Sequence, residues 1–436
     1  MDTAVTLLET AFVVALCFAT FSAGISRTKF HGDESQWIAT SHYFESFVQG
    51  DFGSDVWGTS YWTLTQPPVT RYVIGFGRRL GGFRVTDLNR PWDYGASDAV
   101  NRATGRIPSP GLLWWSRAPM MVLATISGLL LFSIVRDCAG RVGAYVFLAL
   151  FLTNGLVVQS LCRAMGEAPL LASLAAASWW AVCALRSWTG VAAVPNPRRV
   201  RLWFALVGTQ LGIAGAAKLN ALPALASAAA LAIVAAWANQ AQRPRREVRH
   251  LLWTSLIVCV AGLITFVALN PFLYRAPWRT VTMVQHRLHE MRTQEGERPQ
   301  SHIRGIGPRI EALWARLFRD DSAMAFTGAP VLYFASALLG LGVLLRRASA
   351  WLRSRDQPAG PVVVLVFAVT TVGPALFTPL DWSRYYLLPV VFVILCSATG
   401  VAAAVDFLRL RFASPRPAAV RERSRVRRGR SSRRRR

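Results

Sequence analysis

Residues 5–34 read VTLLETAFVVALCFATFSAGISRTKFHGDE. From about Val5 to Ala23 the chain is almost wholly apolar, close to the length an α-helix needs to cross a bilayer. The run then delivers His31-Gly32-Asp33-Glu34 to a membrane surface. Adjacent carboxylates there repel each other and anionic head groups, so they anchor poorly. They are well placed to bind a polar substrate or take a proton from it.

Working outward, the same apolar pattern recurs along all 436 residues, which are 53% hydrophobic and include 16 Trp and 23 Phe. A soluble protein breaks such runs with polar residues every three or four positions. The sequence therefore predicts an all-α polytopic membrane protein of about ten transmembrane helices, at 4–24, 118–135, 143–161, 168–185, 202–217, 220–238, 251–270, 329–345, 361–379 and 386–405. Lys218 and Asn220 interrupt the pair at 202–238, which reads as two short helices meeting at a membrane face. The first segment lacks a basic start and reads as a retained span rather than a signal peptide.

Arginine placement orients the chain. Arg136 and Arg141, Arg186, Arg198 to Arg201, Arg243 to Arg249 and Arg346 to Arg355 fall in short loops on one side of the ten-span arrangement. By the positive-inside rule that side is cytoplasmic, with both termini. Of the 23 acidic residues, 16 lie on the opposite face. That face carries the large outer loops at 25–117 and 271–328. Segments around His42–Val48, Val69–Leu80 and Thr280–Met291 read as surface helices in those loops.

The net charge of +26 owes much to an arginine-rich tail. We divide the chain into a transmembrane catalytic domain, 1–408, and a disordered cytoplasmic tail, 409–436. Following a membrane span, such a tail meets anionic lipid rather than nucleic acid. The six cysteines show no metal or disulfide spacing and none lies in a large outer loop.

Four constellations on the outer face carry candidate chemistry. Asp33-Glu34 is either a solvated loop pair or a general base. Arg163 and Glu167, four apart, are either a helical salt bridge or part of a substrate cradle. Lys218, one of two lysines against 47 arginines, either snorkels or holds a phosphate. Arg384, in Asp381-Trp382-Ser383-Arg384-Tyr385-Tyr386, stands in a short outer turn where arginine is unusual. Cations with one carboxylate pair suit a substrate having an anionic phosphate at head-group level and a hydroxylated part. A transporter or lipid flippase would place its polar residues along a path through the bilayer instead. A non-catalytic assembly partner is a third reading, against which the intact Asp33-Glu34 pair argues.

In order and sidedness these motifs resemble the GT-C superfamily of integral-membrane glycosyltransferases, in the pattern of its protein O-mannosyltransferase and aminoarabinose transferase branch. That branch carries an Asp-Glu pair in the first outer loop, matched by Asp33-Glu34. Its His-Pro-Pro-x-x-Lys type motif is matched by Gln66-Pro67-Pro68-Val69-Thr70-Arg71, with Gln in place of His and Arg in place of Lys. Arg163 with Glu167, Lys218 after Gly212, and Arg384 to Pro389 resemble further family segments. The resemblance implies a GT-C-like fold and transfer of a sugar from a polyprenyl-phosphate donor, by one inverting displacement. It makes Asp33 the base and Glu34 a ligand of acceptor or sugar. Arg71, Arg163, Lys218 and Arg384 would hold the donor phosphate, and His31, Gln66, Glu167 and Tyr385 would touch substrate. The implied partners are the donor, membrane lipids and a glycan, lipid or protein acceptor; no cofactor and no metal are expected. The implied location is the plasma (inner) membrane, with the active face extracytoplasmic.

Overall fold

The computed structural model describes residues 3–189, 197–239, 244–297, 299–320, 330–354, 357–376 and 378–412. The described residues form helices joined by turns, with one isolated β-bridge between His302 and Leu380. The chain is an all-α integral membrane protein. The long helices are α1 (Thr3–Arg27), α4 (Pro110–Thr153), α6 (Glu167–Thr189), α7 (Pro197–Ala217), α8 (Ala224–Asn239), α9 (Pro244–Ala268), α11 (Pro330–Ser354), α12 (Gly360–Thr371) and α13 (Leu387–Phe412). Shorter ones lie in the two large loops, α2 (Gly32–Ala39), a turn-and-a-half helix at Tyr43–Val48, α3 (Val69–Leu80) and α10 (Arg279–Glu297), and between α4 and α6, α5 (Gly155–Cys162). The surface helices expected in the two loops are thus present.

Six described helices are long and apolar enough to cross a membrane, and three shorter apolar ones lie at 219–234, 252–268 and 360–371. Within α4 two helices meet at a kink at Gly140, where φ is +73° and ψ −173°, so the break expected between the spans at 118–135 and 143–161 falls there, and the second of these runs on past Asn154 into α5. Glycine is the residue that takes this backbone without strain. The expected break at Lys218 is real: its backbone is extended, between α7 and a 3-10 turn.

Membrane helices gain little from hydrophobic burial against one another, so close packing through small residues holds them. Gly340 on α11 and Gly400 on α13 lie where the two helices cross; a side chain on either would overlap the other's backbone. Gly208 and Gly212 seat α7 on α9 in the same way.

Charge collects at the two ends of the bundle. At one, Glu9 of α1 pairs with Arg136 (2.6 Å) and Arg141 (3.0 Å), and Asp137 takes Arg186 and the Gly360 N–H. Arg347 reaches the Cys138 carbonyl there. At the other, sixteen residues or about 24 Å along α1 from Glu9, the Ile25 carbonyl, with that of Thr28, accepts from Arg117, which also holds Glu34. Arg243, Arg355 and the tail from 413 lie outside the described residues; α13 continues to Phe412, past the boundary read at 408.

Candidate active site

His31 caps α2. Its Nδ1 accepts the Asp33 N–H (3.1 Å) and its own N–H donates to Glu34 (3.1 Å), a reciprocal capping box. An Nδ1 that accepts is unprotonated, so the ring is neutral with its proton on Nε2. Burial, with the positive charges of Arg384 and Arg163, pushes the His31 pKa from 6.5 down to about 4. The folded loop therefore binds fewer protons than the unfolded chain between these values. Stability from this cap is fully present above pH 6.5 and is lost as pH falls toward 4. The melting temperature of detergent-purified protein should drop between pH 7 and pH 5, and His31→Asn, which keeps a cap, should flatten that slope; equal slopes would contradict the role.

Capping aims the two carboxylates apart. Glu34 is fully buried, and both its oxygens are used. Arg117 holds it bidentately (Nε–Oε1 2.7 Å, Nη2–Oε2 2.6 Å), and the N–H groups of His31 and Ala164 complete the set. Arg117 spends Nη1 on the carbonyls of Ile25 and Thr28. This corrects the expectation that Glu34 touches substrate: it ties α1, α2, α4 and the 163–166 turn together.

Asp33 is the carboxylate left at the surface, its side chain one-fifth exposed. Tyr94 donates to Oδ1, and Arg384 pairs with Oδ2. Arg384 lies over the rings of Trp382 (4.7 Å) and Tyr385 (5.6 Å).

Arg163 and Glu167 do not share a helix face. The α5 helix ends at Cys162, Arg163 is extended (ψ 146°), and α6 begins at Glu167. Glu167 pairs with Lys218 instead (2.7 Å), and its buried Oε2 has no hydrogen-bond partner among the described residues. The buried Nε of Arg163 likewise has none among them. Lys218 lies 6.0 Å from the Tyr385 ring.

Arg71 is also corrected. It is fully buried and donates to Thr40 Oγ1 (2.9 Å), the Trp62 and Gln66 carbonyls, and Gln66 Oε1 (3.2 Å). The rings of Trp37 and Tyr43 flank it. Burial lowers its pKa to about 10, so it stays charged at neutral pH. Four of its five donors are thus engaged inside the fold, and with Gln66 it fixes the Pro67-Pro68 turn. Arg71→Lys should destabilise by about 1–3 kcal/mol, since an ammonium cannot fill a guanidinium's fork. Thermal melting beside donor KM checks this; a raised KM at unchanged stability would restore the phosphate role.

Sequence reasoning missed Arg117, Tyr94, Arg287 and Glu290. Helix α10 brings the last two inward: Glu290 takes Tyr61 and Arg287 (2.5 Å), and Arg287 reaches Tyr385 Oη (3.3 Å). The loop after α9 thus closes over the loop after α1. The segment 301–303 pairs with 379–381, where Arg316 holds Asp381 bidentately.

Residues 36–281 match the family model of the dolichyl-phosphate-mannose-protein mannosyltransferases, more than half of the chain. The chain belongs to this family. That family belongs to the GT-C superfamily of membrane glycosyltransferases. The matched stretch contains Gln66, Arg71, Arg163, Glu167 and Lys218; Asp33, Glu34, Arg384 and Tyr385 lie outside it. No curated protein matches. Among solved structures the mannosyltransferase-family chain is similar to ArnT from Cupriavidus metallidurans bound to undecaprenyl phosphate, with 13% identity and TM-score 0.51, over 93% of this chain and 61% of that one. It is also similar to the Archaeoglobus fulgidus oligosaccharyltransferase tethered to an acceptor peptide, with 12% identity and TM-score 0.52, over 95% of this chain and 52% of that one. At such identities the likeness is one of fold. The chain spans less than two thirds of either relative.

Proposed function

We propose that the protein moves a sugar from a polyprenyl-phosphate-linked donor to an acceptor hydroxyl, with inversion, at the outer face of the plasma membrane. In this reading the 1–408 region is catalytic, both termini are cytoplasmic and the arginine tail is peripheral. The observation that carries it is the meeting of Asp33, partly exposed, with Arg384, beside Arg163 whose Nε has no partner among the described residues. Asp33 takes the proton of the attacking hydroxyl. Arg384 and Arg163 stabilise charge growing on the departing phosphate. Lys218, held by Glu167 beside Tyr385, lies at the edge of this group and serves substrate positioning. The undecaprenyl phosphate in the ArnT structure supports a long isoprenoid phosphate as carrier. An apolar cleft lined by Leu131, Leu171, Phe367 and Leu395 reaches Leu388, one helical turn past Arg384, and suits the prenyl chain.

A panel of radiolabelled polyprenyl-phosphate sugars supplied to membranes tests the reading. Label should pass to an endogenous acceptor from at least one donor. Label that crosses the bilayer still attached to its lipid would favour a flippase.

A further inference from the structure

Asp33 is engaged before any substrate arrives. Its Oδ1 accepts from the Tyr94 hydroxyl, and its Oδ2 faces the Arg384 guanidinium, with His31 Nδ1 at 3.8 Å. A carboxylate held by a guanidinium is a poor base, because the pairing favours its charged form. Arg384 is also the cation placed against the donor phosphate, so one guanidinium stands between two anions. Its surroundings permit exchange. The rings of Trp382 and Tyr385 support its flat face while its edge meets Asp33, and both charged side chains are one-fifth exposed. Tyr94 comes from a separate anchor: buried Asn101 pins the neighbouring Asp93 by N–H and carbonyl (both 2.9 Å).

We propose that Asp33 is a masked base which the donor's phosphate unmasks by drawing Arg384 to itself, so that donor must bind before the acceptor hydroxyl can be deprotonated. Tyr94 is the positioning residue that keeps Asp33 aimed after Arg384 turns away. This rests on the functional reading above. With the donor bound, the acceptor O–H proton passes to Asp33 and the freed oxygen pair forms the bond to the sugar's anomeric carbon. The bond from that carbon to the phosphate oxygen breaks, its electron pair leaving with polyprenyl phosphate beside Arg384 and Arg163. Loss of the product phosphate returns Arg384 to Asp33, which sheds its proton to water as the pair re-forms.

Binding of undecaprenyl phosphate to the purified full-length protein, followed by tryptophan fluorescence, tests the clamp. Asp33→Asn removes Arg384's competitor and should tighten binding about five- to tenfold. Arg384→Gln should weaken it about tenfold or more. Tyr94→Phe should leave affinity within about twofold while lowering kcat about tenfold. Unchanged or weaker binding by Asp33→Asn overturns the clamp. Wild-type protein alone gives a second test. The acid limb of kcat/KM should lie at higher pH for the acceptor at saturating donor than for the donor, and the two should coincide in Arg384→Gln; coincidence in the wild type overturns the proposal. Tighter binding by an Asp33→Asn protein that still transfers sugar would refute the base assignment and leave the clamp standing. An inactive Asp33→Asn with unchanged affinity would do the reverse.

Discussion

Asp33→Asn should reduce transfer by about 10²–10⁴-fold, the usual worth of a general base. Asparagine keeps the size of the side chain and can accept from Tyr94, but it cannot take the acceptor's proton. The Asp33 N–H still meets His31 Nδ1, so the helix cap survives the change. Insertion and melting temperature should be close to wild type. Near-normal turnover with saturating donor would place the base elsewhere, and Glu167, whose buried Oε2 has no partner among the described residues, would be the next carboxylate to test.

The neighbouring substitution should act through stability. Glu34→Gln leaves the Arg117 guanidinium buried without its counter-charge, and breaking one side of a buried ion pair typically costs about 3–5 kcal/mol. Its effect should appear as early unfolding and poor recovery from the membrane, with loss of activity following loss of fold. Arg117→Met combined with Glu34→Gln removes the stranded charge and should recover part of the stability. If Glu34→Gln melts like the wild type and still loses transfer, Glu34 touches substrate after all.

Adjacent acids with such different fates mark what a sequence can and cannot convey. The apolar runs, the two large loops and the helices within them are legible because a span has a length and an amphipathic helix a period. The segregation of charge is legible too: Glu9 with Arg136 and Asp33 with Arg384 occupy the two ends of the bundle. Partnership is not. Glu34 meets an arginine 83 residues away, inside the long apolar helix α4, and nothing local to either residue announces it. Tyr94 lies 61 residues from Asp33 in a loop rich in aromatic residues, where one tyrosine reads like another. Arg71 kept the charge expected of its motif, yet whether a guanidinium faces solvent or backbone carbonyls depends on how Trp62 and Gln66 fold back over it. The Arg163 and Glu167 spacing misled because helical spacing pairs side chains only where a helix runs between them, and the chain is extended at Arg163.

The central claim is that the Asp33, Arg384 and Arg163 face is where a lipid-linked sugar phosphate reacts. It is tested most directly by incubating purified protein with a radiolabelled polyprenyl-phosphate sugar that the membrane panel has shown to be used, and measuring release of polyprenyl phosphate with and without acceptor. The account predicts acceptor-dependent release matched one for one by labelled product, lost in both Asp33→Asn and Arg384→Ala. Release at wild-type rate in either variant would contradict it.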